Sequence, residues 1–200
     1  MRRWFPGIVL APLFFCLLAP TRSAGDGYQS RAETESHLIK IRGVLEREAT
    51  LSETLVEDLA QSVLAESRMH ALDPMLLLAV IQVESAFDHQ AVSSRGAQGL
   101  MQVLPVAVAE LVEEKKLPPS SAYRNLTDPS LNVKLGASYL AHLKEDFGDL
   151  RIALTAYNAG PTWTRKKIEA SGTISFAYAD KVLSVRRFLV NELAMTGPTA

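Results

Sequence analysis

Residues 72–105 read LDPMLLLAVIQVESAFDHQAVSSRGAQGLMQVLP and contain the clearest helix start in the chain. Asp73 and Pro74 predict the start of a helix, because Asp is a preferred N-cap and Pro is tolerated at the first helical position. The next seven residues, MLLLAVI, are all apolar. A helix that is apolar on every side is a buried helix. The sequence therefore predicts a central helix, ending near Ser85, around which the rest of the chain packs.

The flanking sequence is also helical in pattern. Residues 26–32 are polar and predict a loose start, whereas apolar residues at three- and four-residue spacing between 33 and 68 predict two helices, the second capped by Ser52. No alternating pattern typical of β-strands occurs, so the predicted fold is mainly α. The remaining predictions are a loop or small hairpin over 87–98, a helix over 99–115 that Pro105 kinks or breaks, a loop over 116–130, and helices over 131–146, 150–157 and 176–193.

Composition excludes several classes of protein. The 200 residues are 48% hydrophobic and 22% charged, which is typical of a globular domain and not of a disordered or fibrous chain. A net charge of −1 gives no basic field that could bind nucleic acid. Cys16 is the single cysteine, and the four histidines form no HExxH motif. We therefore expect no disulfide framework, no metal site and no cofactor.

Residues 1–25 differ from the rest of the chain. They begin with two arginines, continue through an uncharged apolar core and end in small residues, an order that predicts a cleaved secretory signal peptide. The alternative is an uncleaved membrane anchor, which the three prolines in this segment disfavour. Beyond it we expect an N-terminal helical segment over 26–70 and the main domain over 71–195. Removal of residues 1–25 leaves a net charge of −4, since they hold three arginines and no acid.

Glu84 is the acid that local sequence explains least well. It lies at the end of the most apolar helix, in the run AVIQVESAF. Because burial penalises the charged form of a carboxyl group, we predict a raised pKa for Glu84. A carboxylic acid that stays protonated near neutral pH can serve as a general acid. The structural alternative is a buried glutamate held by hydrogen bonds or paired with an arginine such as Arg95.

Five blocks in order resemble the catalytic domain of the soluble lytic transglycosylases, which cut the glycan strands of peptidoglycan. They cover about residues 70–188. The resemblance implies a lysozyme-like fold, of the goose-type lysozyme or SLT kind, preceded by the N-terminal helical segment. The blocks are Glu84-Ser85, residues 93–102, residues 132–140, residues 156–161, and Tyr178 with Val182.

The resemblance also implies a reaction. Glu84 matches the family's single catalytic acid, which protonates the glycosidic oxygen between N-acetylmuramic acid and N-acetylglucosamine. The same carboxylate then acts as base on the muramyl C6 hydroxyl, which attacks C1 and closes a 1,6-anhydro ring. The N-acetyl group of the substrate is thought to stabilise the intermediate, so no second protein carboxylate is required, unlike in most glycosidases.

Six further positions match residues that line the family's substrate cleft. By resemblance, Ser93 and Asn158 bind the sugar through hydrogen bonds, and Met101 makes an apolar contact with it. Tyr157 is a candidate to orient Glu84 or to stabilise developing charge. The alternative for Met101 and Tyr157 is a place in the core, and for Ser93 a place in a turn. The substrate-binding set is Ser93, Met101, Gln102, Tyr157, Asn158 and Tyr178.

Two departures from the family pattern bear on the chemistry. Ile174 and Ser175 stand where many relatives carry an acidic residue and a threonine, and Asp88 stands where relatives often have asparagine. If Asp88 faces the cleft, it could activate water and turn the enzyme into a hydrolytic muramidase. The other alternative is a non-catalytic protein that binds peptidoglycan or helps to assemble a secretion machine. The leading expectation is a monomeric periplasmic enzyme acting on peptidoglycan strands, with room for an envelope or secretion-machine partner.

Overall fold

The structure, a computed structural model, describes residues 24–49 and 51–195. These residues form helices joined by turns, so the predicted mainly α class is confirmed. The predicted signal peptide lies almost entirely outside the described residues. The helices are α1 (Ala24–Glu48), α2 (Glu53–Met69), α3 (Pro74–Ser85), α4 (Pro105–Glu113), α5 (Pro129–Phe147), α6 (Leu150–Ala159), α7 (Pro161–Ser171) and α8 (Ala177–Met195), with a short 3-10 helix at Ser121–Arg124.

Helix α3 is the central helix that the sequence predicts. The Asp73 side chain accepts a hydrogen bond from the backbone N–H of Met75 at 2.9 Å, which caps the helix. All side chains from 75 to 81 are buried. Asp73 also forms an ion pair with Arg186, so the start of α3 is tied to α8, the helix that packs along it.

Helices α1 and α2 belong to the same hydrophobic core. Ile41 and Leu45 of α1 and Leu59 of α2 are fully buried in a cluster that continues through α3 and α5. Ser52 caps α2 as predicted, since its hydroxyl accepts from the N–H of Leu55. Helix α1 begins at Ala24, so the prediction of a loose start over 26–32 is wrong.

The segment between α3 and α4 differs from the prediction. No helix begins at Gly99, because residues 98–103 form a tight turn in which Gln98 and Val103 exchange backbone hydrogen bonds of 3.1 and 2.9 Å. Pro105 is the first residue of α4 and does not kink a longer helix. The fixed φ of proline suits this position, where its missing N–H costs nothing.

Helix α7 is absent from the sequence-based prediction. The run Asn158-Ala159-Gly160-Pro161 indicates a chain break, and Gly160 does end α6 with a positive φ of 90°. Pro161, however, begins a new helix at once. The two helices therefore meet at a sharp corner, which brings α7 to the edge of the site described next.

Candidate active site

Glu84 lies in the last turn of α3, half-buried, beside the start of α8. Its carboxylate accepts a hydrogen bond of 2.5 Å from the hydroxyl of Tyr178. Burial raises the pKa of Glu84, while the Tyr178 hydrogen bond and the charge of Lys181 oppose that rise. The prediction of a raised pKa is confirmed. The hydrogen-bond partner is Tyr178, and not the Arg95 that the structural alternative suggested.

Arg151 of α6 makes two contacts at the start of α8, the helix that carries Tyr178. Arg151 of α6 forms an ion pair of 2.6 Å with Asp180. The same guanidinium lies 4.3 Å from the centre of the Phe176 ring. Burial raises the pKa of Tyr178 above its usual value, and nearby Glu84 adds to the effect. The phenol is therefore a neutral hydrogen-bond donor at any working pH.

Tyr157 is hydrogen-bonded to the turn over residues 98–103 and makes no hydrogen bond to Glu84. Its hydroxyl donates to the backbone carbonyl of Met101 at 2.8 Å. Ser85 binds the same turn from α3, donating to the carbonyl of Leu100 at 2.8 Å. The hydroxyl that is hydrogen-bonded to Glu84 is that of Tyr178, so any effect of Tyr157 on Glu84 does not run through a hydrogen bond between the two. Burial raises the pKa of Tyr157, so this phenol is also neutral.

The side chain of Asn132 in α5 holds the turn over residues 98–103 through hydrogen bonds. Its side-chain oxygen accepts from the N–H of Met101 at 2.7 Å, and its amide group donates to the carbonyls of Gln98 and Leu126 at 2.8 and 2.7 Å. Gly99 passes directly over Asn132 with φ +73°, where an added Cβ would lie 2.5 Å from the Asn132 amide nitrogen. Only glycine fits such an approach in that conformation.

A cleft of about 550 Å³ opens between the 95–110 segment and the corner of α6 and α7. Gln102, Tyr157 and Asn158, three of the predicted substrate-binding residues, line it. Glu84 stands next to this cleft, close enough to Tyr157 for its charge to act on that phenol. Glu84 and its partner Tyr178 are not themselves among the residues that line the cleft, and Tyr157 is the lining residue on which the charge of Glu84 acts.

The other three predicted substrate-binding residues do not line this cleft: Tyr178 lies at Glu84, and Met101 and Ser93 have structural contacts. Met101 is 0% exposed, with its side chain packed against Gly136 of α5, so in this structure it offers no surface to a sugar. The Ser93 hydroxyl accepts from the N–H groups of Ala97 and Arg95 at 3.0 and 3.3 Å, which makes it a turn residue. The observed contacts thus match the alternatives stated above, a place in the core for Met101 and a place in a turn for Ser93.

Asp88 is exposed and forms part of a turn. Its carboxylate accepts a hydrogen bond of 2.9 Å from the N–H of Gln90. Ser175 likewise has a local partner, since its hydroxyl accepts from the N–H of Ala177 at 3.4 Å as α8 begins. Ile174 is half-buried. Ile174 and Ser175, which depart from the family pattern, make no hydrogen bond to Glu84, whose side-chain partner is Tyr178.

The cleft is also lined by residues that are not in the predicted substrate-binding set, among them Glu110, Tyr139, Trp163 and Lys166. Trp163 and Lys166 are on α7, the helix that was missed, while Glu110 and Tyr139 come from α4 and α5. Tyr139 donates to Glu110 at 3.3 Å and packs against Tyr157 with ring centres 5.7 Å apart. The three-residue spacing of Trp163 and Lys166 after the Gly160-Pro161 corner is the one signal that could have paired them.

No three His, Cys, Asp or Glu side chains among the described residues come together in a way that could hold a metal ion. Within the same part of the chain, no helix combines the length and apolarity needed to cross a membrane.

Comparison with known proteins identifies the family. The profile of the transglycosylase SLT domain matches residues 61–178, which is more than half of the chain. The chain belongs to the SLT transglycosylase family. The resemblance drawn from the five sequence blocks is confirmed, and the family profile includes both Glu84 and Tyr178.

Relatives of this SLT domain are larger proteins. The soluble lytic murein transglycosylase of Escherichia coli strain K12 is 33% identical over 122 residues, covering 58% of this chain and 19% of that protein. The transglycosylase of Enterobacteria phage PRD1 is 36% identical over 96 residues, covering 48% of this chain and 32% of the phage protein. The chain thus spans about a fifth of the length of the Escherichia coli relative.

A solved structure supports the fold of this SLT domain. The 70-kDa soluble lytic transglycosylase from Escherichia coli superimposes with a TM-score of 0.52 and 23% identity, covering 88% of this chain and 30% of that one. The similarity extends beyond the profile match and takes in the N-terminal helices. The predicted lysozyme-like SLT fold class is confirmed.

Proposed function

We propose that this protein is a peptidoglycan lytic transglycosylase that cleaves the β-1,4 bond between N-acetylmuramic acid and N-acetylglucosamine. One observation carries the proposal: Glu84 is a desolvated carboxyl with a raised pKa, hydrogen-bonded to the neutral phenol of Tyr178 beside a cleft. The family membership of residues 61–178 supports the same activity. A protein that only bound the polymer would have no use for such an acid.

In the proposed reaction Glu84 acts twice. Its proton passes to the glycosidic oxygen as the C1–O bond breaks, which frees the N-acetylglucosamine hydroxyl. The resulting carboxylate then takes the proton of the muramyl C6 hydroxyl while the O6–C1 bond forms. Glu84 ends protonated, as it began, and no water is consumed. Attack by an internal hydroxyl is favoured because nucleophile and C1 are held in one molecule.

Tyr178 has a defined part in this cycle. Its hydroxyl donates to Glu84 and so stabilises the carboxylate present between the two proton transfers. Gln102, Tyr157 and Asn158 are proposed to bind the glycan strand in the cleft. Met101 would support the same site indirectly through the turn that carries Gln102, and Ser93 would do so through the preceding turn at Arg95 and Ala97.

The competing reaction is hydrolysis by a muramidase of the same fold, with Asp88 as the base that activates water. The Asp88 carboxylate is engaged with the N–H of Gln90 in an exposed turn. A base needs hydrogen-bond reach of the water it activates at the reacting carbon. The turn contact therefore favours the transglycosylase over the muramidase.

Mass spectrometry of muropeptides released from purified peptidoglycan tests the proposal. Products lighter by one water than hydrolytic products, with no reducing end, are expected from the wild-type protein. Glu84→Gln should release none, while Asp88→Asn should leave the product pattern unchanged. Reducing-end products that disappear in Asp88→Asn would establish the muramidase instead. A folded wild-type protein that releases nothing would overturn the enzymatic proposal.

The cellular setting follows from the substrate. Peptidoglycan lies outside the cytoplasmic membrane, so we propose a periplasmic location reached through the predicted signal peptide at 1–25. A monomer suffices for the proposed chemistry, because Glu84, Tyr178 and the cleft come from one chain. An envelope or secretion-machine partner remains a separate prediction of the sequence.

A further inference from the structure

Tyr178 lies in the first turn of α8, the part of that helix that its own backbone holds least firmly. The first N–H groups of an α-helix have no carbonyl partner within the helix, so an initial turn depends on contacts from outside it. The N–H of Ala177 donates to the Ser175 hydroxyl at 3.4 Å, which is long for such a bond. The N–H of Asp180 then donates to the carbonyl of Phe176 at 2.8 Å. The position of the Tyr178 phenol therefore depends on what else holds this turn.

Arg151 of α6 contacts this turn on both sides of Tyr178. Its guanidinium forms an ion pair of 2.6 Å with Asp180, two residues after Tyr178. The same group lies 4.3 Å from the ring centre of Phe176, two residues before Tyr178. Helices α6 and α8 also pack against each other. One side chain, anchored in a helix outside α8, thus bridges the two ends of the turn that carries the phenol.

The groups that act on Glu84 come from α8 and α6. From α8, the Tyr178 hydroxyl donates to the carboxylate at 2.5 Å, and the charge of Lys181 lowers the pKa of Glu84 as well. From α6, Tyr157 lies close enough for Glu84 to raise the pKa of its phenol. Arg151 is not among the groups acting on the pKa of Glu84. An influence of Arg151 on this acid therefore has to run through Tyr178.

We propose that Arg151 is a positioning residue, which holds the first turn of α8 so that the Tyr178 hydroxyl reaches Glu84. Its consequence for catalysis rests on the proposed function, whereas the hydrogen bond that it maintains can be measured without substrate. The Arg151 side chain is 47% exposed, and an exposed ion pair contributes little to overall stability. Removing the side chain should therefore alter the site and leave the fold in place.

Arg151→Met tests this role, with the pKa of Glu84 followed by carbon-13 NMR of its carboxyl group. The hydrogen bond from Tyr178 lowers the pKa of Glu84, so a less populated bond should leave that pKa higher than in the wild type. The shift should have the same direction as in Tyr178→Phe and be smaller. In the cleavage assay, kcat should fall about two- to fivefold, the range of an exposed ion pair. KM should stay unchanged, because Arg151 does not line the cleft.

A double variant distinguishes positioning from a direct effect of the Arg151 charge. In Tyr178→Phe the hydroxyl that binds Glu84 is gone, so adding Arg151→Met should raise the pKa of Glu84 no further. A direct effect of the charge would persist in the double variant and raise the pKa again.

Arg165→Met is the matched control, because Arg165 makes the same two kinds of contact away from α8. It forms an ion pair with Asp146, and its guanidinium lies 5.2 Å from the ring centre of Phe147. Its side chain is 49% exposed, close to the value for Arg151. Arg165→Met should leave the pKa of Glu84 unchanged.

The outcomes separate the positioning role from the proposed activity. An unchanged pKa of Glu84 in Arg151→Met, a further rise in the double variant, or an equal rise in Arg165→Met would overturn the positioning role. An Arg151→Met protein that is unfolded by circular dichroism would make Arg151 a structural residue and overturn the role too. A pKa raised as expected, together with no product release by the wild type, would support the positioning role and overturn the proposed activity.

Discussion

At the scale of single residues, Glu84 links the chemistry of the site to the stability of the fold. Burial raises the pKa of Glu84 in the folded protein. The contribution of this carboxyl to folding stability is therefore complete at pH values below its ordinary pKa of about 4. That contribution is lost as the pH rises through the folded-state value, because the unfolded chain ionises more readily. The raised pKa of Glu84 therefore lowers the stability of the folded protein at neutral pH relative to a glutamate with an ordinary pKa.

Glu84→Gln should remove this cost. The amide cannot ionise, so the variant should melt at a higher temperature than wild type at pH 7, and the difference should vanish near pH 3. Thermal unfolding at both pH values measures it. Glu169→Gln, an exposed change on α7, should give the same small difference at both. A Glu84→Gln protein that is less stable than wild type at pH 7 contradicts the argument.

Tyr178→Phe should change the pH dependence of the reaction. In the wild-type protein the hydrogen bond from Tyr178 lowers the pKa of Glu84. Removing that bond should raise this pKa and move the alkaline limb of the kcat profile to higher pH. The maximum rate should fall about tenfold, the effect of one hydrogen bond to a charged group. Tyr123→Phe, a change in the 3-10 helix at a residue that is not among the groups acting on the pKa of Glu84, should leave the pH profile unchanged. An unshifted limb in Tyr178→Phe would mean that the phenol does not act on Glu84.

At the scale of elements, Gly136 sets how closely α5 approaches the turn over residues 98–103. An added Cβ would lie 2.6 Å from the sulfur of Met101, a buried side chain with no free space. Gly136→Ala should therefore destabilise the protein by about 1–3 kcal/mol in chemical unfolding. Gly43→Ala is the matched control, because its Cβ would meet only Arg47 at 3.4 Å, and it should stabilise α1 by about 0.5–1 kcal/mol.

A double variant separates this contact from helix propensity. Met101→Gly removes the sulfur, Cβ and terminal methyl that the new Cβ would meet at 2.6, 2.7 and 3.0 Å, so the cost of the pair should be well below the sum of the two single costs. Additive costs would show that Gly136 is required for another reason.

The same elements show where sequence patterns are informative. The start of α3 is predictable because Asp73 and Pro74 carry their own local signal, and the cap is observed. The turn over 98–103 resembles a helix in its apolar content, but its conformation is decided by distant contacts with Asn132 and Tyr157. Helix α7 was hidden because Gly160-Pro161 ends one helix and begins the next, which local rules cannot distinguish from a loop.

In the candidate site, too, some features are predictable from local sequence and others depend on distant contacts. Glu84 stands out because an acid in an apolar helix is anomalous in any context, and its raised pKa follows from burial. Which tyrosine contacts it depends on how α8 packs on α3, a contact across 94 residues that no local pattern contains. Met101 lies in a block that fits the family, yet its side chain faces Gly136 and the core.

At the scale of the whole molecule, the N-terminal helices are part of the core that carries Glu84. Leu45 of α1 is fully buried in the cluster that includes α3, whereas Ile39 of the same helix is 59% exposed. If residues 26–70 were a separate docking segment, damage to the packing of this segment would leave the melting temperature of the main domain unchanged. A segment that completes the core would instead unfold together with Glu84 in one cooperative transition.

Leu45→Ala distinguishes these two cases. It should cost about 2–5 kcal/mol, the usual effect of emptying a buried leucine site, and lower a single melting transition followed by circular dichroism. Activity should be lost over the same temperature range as structure, since α3 rests on the damaged core. Ile39→Ala removes a similar side chain from the solvent face and should shift the transition by less than about 0.5 kcal/mol. Two separate transitions in Leu45→Ala, with activity following the upper one, would make residues 26–70 an independent unit, and their role would then have to be sought in binding a partner.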